Sequence, residues 1–150
     1  REQRLGYIAT VCPDGTPNLS PKGTTTVWDD DHLLFADICS PGTLTNLAKN
    51  PSIEINVVDP MVRKGYRFKG SATILTGGAV FERALAFYRD EQRVADGLVE
   101  RMQRIVLVKV ERALPLISPV YDLGTSETEV AAKWAGYYGA LKQGRASVRG

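Results

Sequence analysis

The sequence predicts a mainly β protein, an antiparallel barrel of about six strands with helices appended. Short segments rich in β-branched and aromatic residues follow one another and are separated by turns that contain proline, glycine or aspartate. Helical periodicity is confined to one short segment in the first third of the chain and two longer ones in its second half. The sequence has no β-α-β alternation, so a parallel sheet is not expected.

Length and composition are those of one ordinary globular domain, and we expect residues 1–150 to form a single one. The 150 residues are 43% hydrophobic and 24% charged, with a net charge of +2. That charge is too small to indicate a nucleic-acid-binding protein. No apolar run approaches the roughly 20 residues of a membrane span. Cys12 and Cys39 lie far apart without a CxxC motif, which predicts two reduced, buried thiols and a cytoplasmic protein.

The single histidine narrows the possible chemistry. His32 follows three aspartates, in a pattern typical of a polar turn. A Ser-His-Asp triad would depend on this one residue, and a zinc site would lack its commonest ligands. The two common nucleotide motifs, GxGxxG after a strand and GxxxxGK[ST], are also absent from the sequence. Triad hydrolases and histidine-rich metal sites are therefore disfavoured, and we expect no metal.

The predicted elements follow from periodicity and from turn and capping residues. Proline and glycine at residues 13–16 predict a hairpin turn, and Ser40 before Pro41 predicts a helix start. Ser126 and Glu129 have the spacing of a capping box. The predicted strands cover residues 5–11, 17–28, 33–36, 52–58, 63–75 and 105–110. The predicted helices cover residues 40–50, 80–101 and 126–142, and residues 143–150 form a flexible tail.

The second predicted strand departs from the pattern of a core strand. Between Leu19 and Val27 it has no large apolar side chain, and it contains Pro21 and Gly23. A barrel strand normally turns one face to the core, so this segment is free to accept a ligand close to its backbone. The alternative is an edge strand that is blunted against aggregation.

Two further segments could bind an anion. The helix that begins at residues 40–43 offers unpaired backbone N–H groups and the positive end of its dipole, and Lys22 could add charge. Most helix starts bind nothing, so this signal alone is weak. Residues 63–69 contain four cations with interleaved aromatics, and Arg63, Arg67 and Lys69 share one face of a strand. Such a strand could hold nucleic acid or a phosphorylated cofactor, or could be a solvated outer face.

In this order the features resemble one family, the FMN-binding split-barrel flavoproteins related to pyridoxamine 5′-phosphate oxidase. The resemblance extends to about Leu116. It rests on Gly6-Tyr7-Ile8-Ala9-Thr10-Val11, Asp14-Gly15-Thr16-Pro17, Asn18-Leu19-Ser20-Pro21-Lys22-Gly23, Leu34-Phe35-Ala36-Asp37, Thr43-Leu44-Thr45-Asn46-Leu47-Ala48-Lys49-Asn50-Pro51 and Arg67-Phe68-Lys69-Gly70-Ser71-Ala72. It implies a six-stranded antiparallel Greek-key split barrel and a homodimer with FMN at the interface.

The resemblance also implies a set of cofactor-binding residues. Arg67 on the long strand lies near the cofactor, and Trp134 covers the flavin of the partner chain. The backbone beside the flavin ring would be that of Ser20, Pro21, Lys22, Gly23, Thr24 and Thr25. The phosphate would be held by residues 40–46, with Ser40, Thr43 and Asn46 as the contacts.

The sequence departs from family members that oxidise pyridoxamine phosphate. Those proteins carry basic residues where this chain has Pro41 and Gly42, and residues 116–150 hold no counterpart to their Trp- and Arg-rich C-terminal motif. The resemblance therefore implies another FMN-dependent oxidoreductase, which acts on a small molecule or a nicotinamide donor. Relatives also bind the deazaflavin F420 or haem, and F420 is the less favoured cofactor here.

Two alternatives remain at this stage. The first is a flavin-binding or F420-binding protein without turnover, which acts as an electron carrier or sensor. The second is a nucleic-acid-binding barrel that uses residues 63–69, although the small net charge counts against it. We expect neither nucleic acid nor membrane as a partner, and the sequence assigns no catalytic acid or base.

Overall fold

The computed structural model describes residues 2–147, with side chains to residue 144, and contains one seven-stranded sheet in that range. The strands are β1 (Gly6–Val11), β2 (Pro17–Lys22), β3 (Thr26–Val27), β4 (His32–Asp37), β5 (Ser52–Asp59), β6 (Lys64–Leu75) and β7 (Arg104–Ile117). The helices are α1 (Pro41–Lys49), α2 (Ala79–Asp90), α3 (Asp96–Val99) and α4 (Glu127–Ser147), with a 3-10 helix at Pro119–Leu123.

The sheet has the order β2-β1-β5-β6-β7-β4-β3. β1 is antiparallel to both β2 and β5, and β4 is antiparallel to both β3 and β7. This mainly antiparallel architecture with appended helices confirms the predicted split-barrel fold. The strand count differs from six because the predicted strand over residues 17–28 is two strands, β2 and β3.

A hydrogen-bonded turn at residues 23–25 causes this break. The Thr25 hydroxyl donates to the Lys22 carbonyl at 3.0 Å, and the Thr25 amide points to the same oxygen at 3.4 Å. The Thr24 hydroxyl accepts from the Ala36 amide at 2.9 Å. These local bonds replace the strand pairing that the sequence pattern predicted.

The described chain forms two compact units. The first contains residues up to Val57 together with Arg67–Leu114, and the second contains Val58–Tyr66 together with the residues from Pro115 onward. The expectation of a single domain stays a prediction.

The first unit has two apolar clusters that share β4. The cluster on one face of β4 contains Ile8, Leu33, Phe35, Leu44, Leu47, Ile53, Ile55, Val106 and Val108. The cluster on the other face contains Leu34, Ala36, Phe81, Ala84, Tyr88, Met102 and Ile105. α1 supplies Leu44 and Leu47 to the first cluster, and α2 supplies three residues to the second. β4 is therefore buried on both faces.

The prediction of one helix over residues 80–101 is wrong. α2 ends at Asp90, and α3 begins only at Asp96. Between them the Gln92 amide donates to the Phe87 carbonyl, and Arg93 takes a positive φ of 50°. The chain turns back at this point, so residues 91–95 are a connection and not a continuation of the helix.

The second unit contains α4, whose start matches the prediction. Ser126 and Glu129 form the predicted capping box, with the Glu129 carboxylate accepting from the Ser126 amide at 2.8 Å and from its hydroxyl at 2.7 Å. The helix extends to Ser147 rather than to residue 142. Residues 148–150 of the predicted flexible tail lie outside the described residues. Within residues 2–147, no helix has the length and apolar character that a membrane span requires.

Candidate functional site

A cavity of about 480 Å³ brings together several of the predicted cofactor-binding residues. Its volume lies within the range of about 300–1,000 Å³ that is typical of small-molecule sites. We name it the Lys22 cavity. It is lined by Pro21, Lys22, Gly23, Thr24, Ala36, Ile38, Cys39, Ser40, Val94, Ala95 and Leu98. Two predicted segments, the end of β2 with its turn and the start of α1, thus meet at one cavity.

Lys22, one of the lining residues, carries a buried amino group. The residue is only 5% exposed, and its Nζ donates to the Ser20 hydroxyl at 2.9 Å. Burial lowers the pKa of Lys22 below its ordinary value of 10.5, and the negative charge of Asp37 opposes this shift in part. An ammonium group has three donors, so Lys22 can also donate to an anionic ligand.

The backbone beside Lys22 is open to a ligand at Gly23. A Cβ atom added there would meet no other atom within 4 Å. The neighbouring Thr24 and Thr25 side chains are bonded to Ala36 and to the Lys22 carbonyl, so they stabilise the turn. Thr25 also packs against Gly6, where a Cβ would overlap the threonine side chain. The turn is held in place while its glycine leaves space at the cavity wall.

The start of α1 adds polar groups next to the cavity. The Ser40 hydroxyl makes no capping hydrogen bond with the helix, and the Ser40 amide donates to the Asp37 carboxylate at 3.0 Å. Thr43 lies in the first turn, and its amide donates to the Ser40 carbonyl. Thr43 is 2% exposed, and its hydroxyl has no hydrogen-bond partner among the described residues. A buried hydroxyl without a partner is unfavourable in the free protein.

These features fit a ligand that has an anionic group and a part lying against bare backbone. A buried ammonium, two hydroxyls and the N-terminus of a nine-residue helix suit a phosphate. The open backbone at Gly23 suits a ring that approaches closely. The donor set therefore fits FMN.

Six of the eleven predicted cofactor-binding residues do not line the Lys22 cavity, namely Ser20, Thr25, Thr43, Asn46, Arg67 and Trp134. The Asn46 amide donates to the Thr10 hydroxyl at 3.0 Å and joins α1 to β1. Arg67 pairs with Glu54, with Nε 3.2 Å from Oε1, and Glu54 belongs to a separate cavity of about 380 Å³. Their contact with a cofactor stays a prediction.

Trp134 lies in the second unit, where it stacks on a cation of its own chain. The Arg63 guanidinium lies 3.5 Å from the centre of the indole ring, and Tyr137 packs edge-on against the same ring. The predicted cover over a partner's flavin stays a prediction.

The basic segment over residues 63–69 differs from the predicted strand face. Arg67 and Lys69 do share a face, since both pair with Glu54. Arg63, however, precedes β6 and takes a positive φ of 55°, which turns it out of the strand. Lys64 pairs with Glu127 at 2.7 Å. Three of the four cations are thus paired with carboxylates.

About half of the residues in the cavity wall are not among those that the sequence predicts to bind a cofactor. The sequence predicts one continuous helix that includes Val94, Ala95 and Leu98, because residues 91–95 contain no glycine or proline to signal a break. Cys39 was predicted to be buried but is exposed, with its Sγ 3.4 Å from Arg101 Nη2. The sequence signal that could have placed Cys39 at the cavity is its position directly before Ser40.

Comparisons with known proteins agree with this fold. The family model described as pyridoxamine 5′-phosphate oxidase matches residues 1–115. The solved structure of HupZ from Group A Streptococcus is 33% identical, covers 77% of this chain and 86% of that chain, and superposes with a TM-score of 0.66. No curated protein matches the chain.

Two more distant structures share the fold. One is named F420 reductase, is 23% identical, covers 75% of this chain and 90% of that chain, and has a TM-score of 0.57. The other is an FMN-binding protein from Syntrophomonas wolfei, with 16% identity, coverage of 73% and 75%, and a TM-score of 0.58.

The family model spans most of the chain, and the fold agrees with it. The protein therefore belongs to the family of FMN-binding split-barrel flavoproteins related to pyridoxamine 5′-phosphate oxidase.

Proposed function

We propose that this flavoprotein is an FMN-dependent oxidoreductase that holds the cofactor in the Lys22 cavity. The observation that carries the proposal is a buried ammonium at the wall of a cavity that also receives the start of α1. Ser40 lines the same cavity, and the partnerless Thr43 hydroxyl lies one turn further along the helix. Each of these groups would gain a partner from a phosphate.

The residues of the chain have distinct roles in this proposal. Lys22, Ser40 and Thr43 bind the phosphate, and the backbone of residues 20–25 lies beside the isoalloxazine ring. Bound FMN supplies hydride or electron transfer, and the protein binds and orients it. The substrate is a small molecule or a nicotinamide donor. Pro41 and Gly42 carry no charge, which supports a substrate other than pyridoxamine phosphate.

We also propose that the protein is a cytoplasmic homodimer with FMN at its interface. The outward faces of β1 and β2 are apolar in three successive cross-strand pairs, Tyr7 with Pro21, Ala9 with Leu19 and Val11 with Pro17. Leu19 is 67% exposed and Tyr7 is 44% exposed. A second copy would cover this patch. Pro21 belongs both to the patch and to the Lys22 cavity.

The proposed cytoplasmic location rests on the two cysteines. The free thiols of Cys12 and Cys39 support a reducing compartment.

Sedimentation of the purified protein, followed at the visible absorption band of oxidised flavin, tests cofactor and assembly together. We expect the absorbance to sediment with a particle of two 16.4 kDa chains, and mass analysis of the released compound to give FMN. Colourless protein that takes up no added FMN would contradict the proposal. Released F420 would replace the cofactor assignment, and a yellow monomer would disprove the dimer.

Reduction by NADH or NADPH then separates an enzyme from an electron carrier. We expect one of the two to bleach the bound flavin, and oxygen or a small acceptor to restore it. Bound flavin that neither nicotinamide reduces, but that photoreduces normally, would favour the carrier.

Replacing Thr43 by valine should affect stability and binding in opposite directions. Valine has nearly the same shape, and the lost hydroxyl has no partner in the free protein. We expect Thr43→Val to stabilise the FMN-free protein by about 1 kcal/mol and to weaken FMN binding about tenfold, the equivalent of one hydrogen bond. Urea denaturation and FMN fluorescence titration measure the two effects.

Thr26→Val is the matched control for this substitution. The Thr26 hydroxyl is also buried without a partner among the described residues, but Thr26 lies in β3 and not in the first turn of α1. We expect a similar gain in stability and unchanged FMN affinity. Equal FMN affinities for the two variants would refute the phosphate contact of Thr43.

The pH dependence of FMN binding should report on Lys22. Burial lowers the pKa of Lys22 below its ordinary value of 10.5. FMN affinity should therefore fall as the pH rises through this lowered pKa, because the ammonium then loses its proton. In the same window the unfolded chain still holds this proton, so the FMN-free protein should become more stable with rising pH. Titrations above pH 7.5 avoid the phosphate pKa of about 6.

Lys22→Met should remove both pH effects and weaken FMN binding about 10- to 100-fold, since a charged hydrogen bond is lost. Lys69→Met is the control, because Lys69 is exposed and pairs with Glu54. It should retain the pH dependence of the wild type. Wild-type binding that does not change between pH 7.5 and pH 10.5 would argue against Lys22 as the phosphate ligand.

A further inference from the structure

Tyr88 on α2 is a buried residue whose polar group reaches the Lys22 cavity wall. The residue is 1% exposed and packs in the apolar cluster between α2 and β4. Its hydroxyl donates to the Thr24 carbonyl at 2.9 Å. Thr24 lies in the turn between β2 and β3 and lines the cavity. The phenol is therefore hydrogen-bonded to the backbone of a residue that lines the cavity.

The backbone of Tyr88 is also bonded to a second segment that lines the cavity. Its carbonyl accepts from the Val94 amide at 3.0 Å, and Val94 lines the cavity beside Ala95 and Leu98. One residue thus binds the turn after β2 through its side chain and the α2–α3 connection through its main chain.

We infer that Tyr88 is a positioning residue that fixes the turn at residues 23–25 relative to the α2–α3 connection and so keeps the Lys22 cavity in its ligand-binding form. The inference rests on the proposed function. It adds a residue that would not touch the cofactor and would act through Thr24.

Two observations assign this role to the hydroxyl as well as to the ring. The Thr24 carbonyl lies between β2 and β3, outside the strand pairing, and the phenol supplies a hydrogen-bond donor to it in a partly buried position. Burial also raises the pKa of Tyr88, and the phenol therefore stays a neutral donor over the working pH range. The same turn is fixed from the β4 side by the Thr24–Ala36 bonds at 2.9 and 3.2 Å.

Tyr88→Phe tests the inference, because it removes the hydroxyl and keeps the ring. Two readouts are needed, FMN affinity and amide hydrogen exchange of the FMN-free protein. We expect FMN to bind about tenfold more weakly, as for the loss of one hydrogen bond. We expect faster exchange at Thr25 and Ala36, whose amides are bonded through this turn, with little change in β1.

Phe81→Leu and Tyr121→Phe are the matched controls. Phe81 lies on the same helix and in the same cluster, so its truncation lowers stability without removing a bond to the turn. Tyr121 donates its hydroxyl to the Val62 carbonyl at 2.6 Å in the second unit. Neither control should selectively accelerate exchange at Thr25 and Ala36.

The outcomes separate this inference from the proposed function. Exchange at Thr25 and Ala36 that is unchanged in Tyr88→Phe, or that rises evenly across the chain as in Phe81→Leu, would overturn the positioning role. Wild-type FMN affinity in Tyr88→Phe would overturn it as well. A wild-type protein that binds no FMN would disprove the proposed function, and hydrogen exchange would then decide the role of Tyr88 alone.

Discussion

Burial of β4 on both faces is the constraint on which the rest of the first unit depends. Leu33 and Phe35 enter one apolar cluster, Leu34 and Ala36 enter the other, and none of the four is more than 4% exposed. Such a strand needs a helix over the face that the sheet leaves open, and α2 provides it. The strand then leads through Asp37 into α1, so the packing that buries β4 also places Ser40 beside Lys22.

The polar groups at this position oppose the stability of the free protein. Burying the Lys22 ammonium, which donates to the Ser20 hydroxyl, and burying the Thr43 hydroxyl, which has no partner among the described residues, both cost free energy. Natural chains tolerate such violations of local rules mainly at functional sites. The first unit supplies the compensating burial in its two apolar clusters, while the turn at residues 23–25 is held by bonds from Ala36 and Tyr88.

The parts of the site that the sequence predicted are those with a local signal. The missing apolar side chains between Leu19 and Val27 indicated the turn that lines the cavity, and Ser40 with Pro41 indicated the start of α1. The turn at residues 91–95 could not be predicted, because a tertiary arrangement and not glycine or proline ends α2 there. The bond from Tyr88 to Thr24 joins residues 64 positions apart, and an apolar helical stripe gives no sign of it.

Contact between the cofactor and the backbone at Gly23 is tested most directly by filling the space beside this residue. A Cβ atom added at Gly23 meets no atom within 4 Å, and the same is true of a Cβ atom at Gly77, which does not line the cavity. We expect Gly23→Leu to keep the urea midpoint of the wild type and to lose FMN binding, and Gly77→Leu to keep both. Undiminished FMN binding by a folded Gly23→Leu variant would contradict the account.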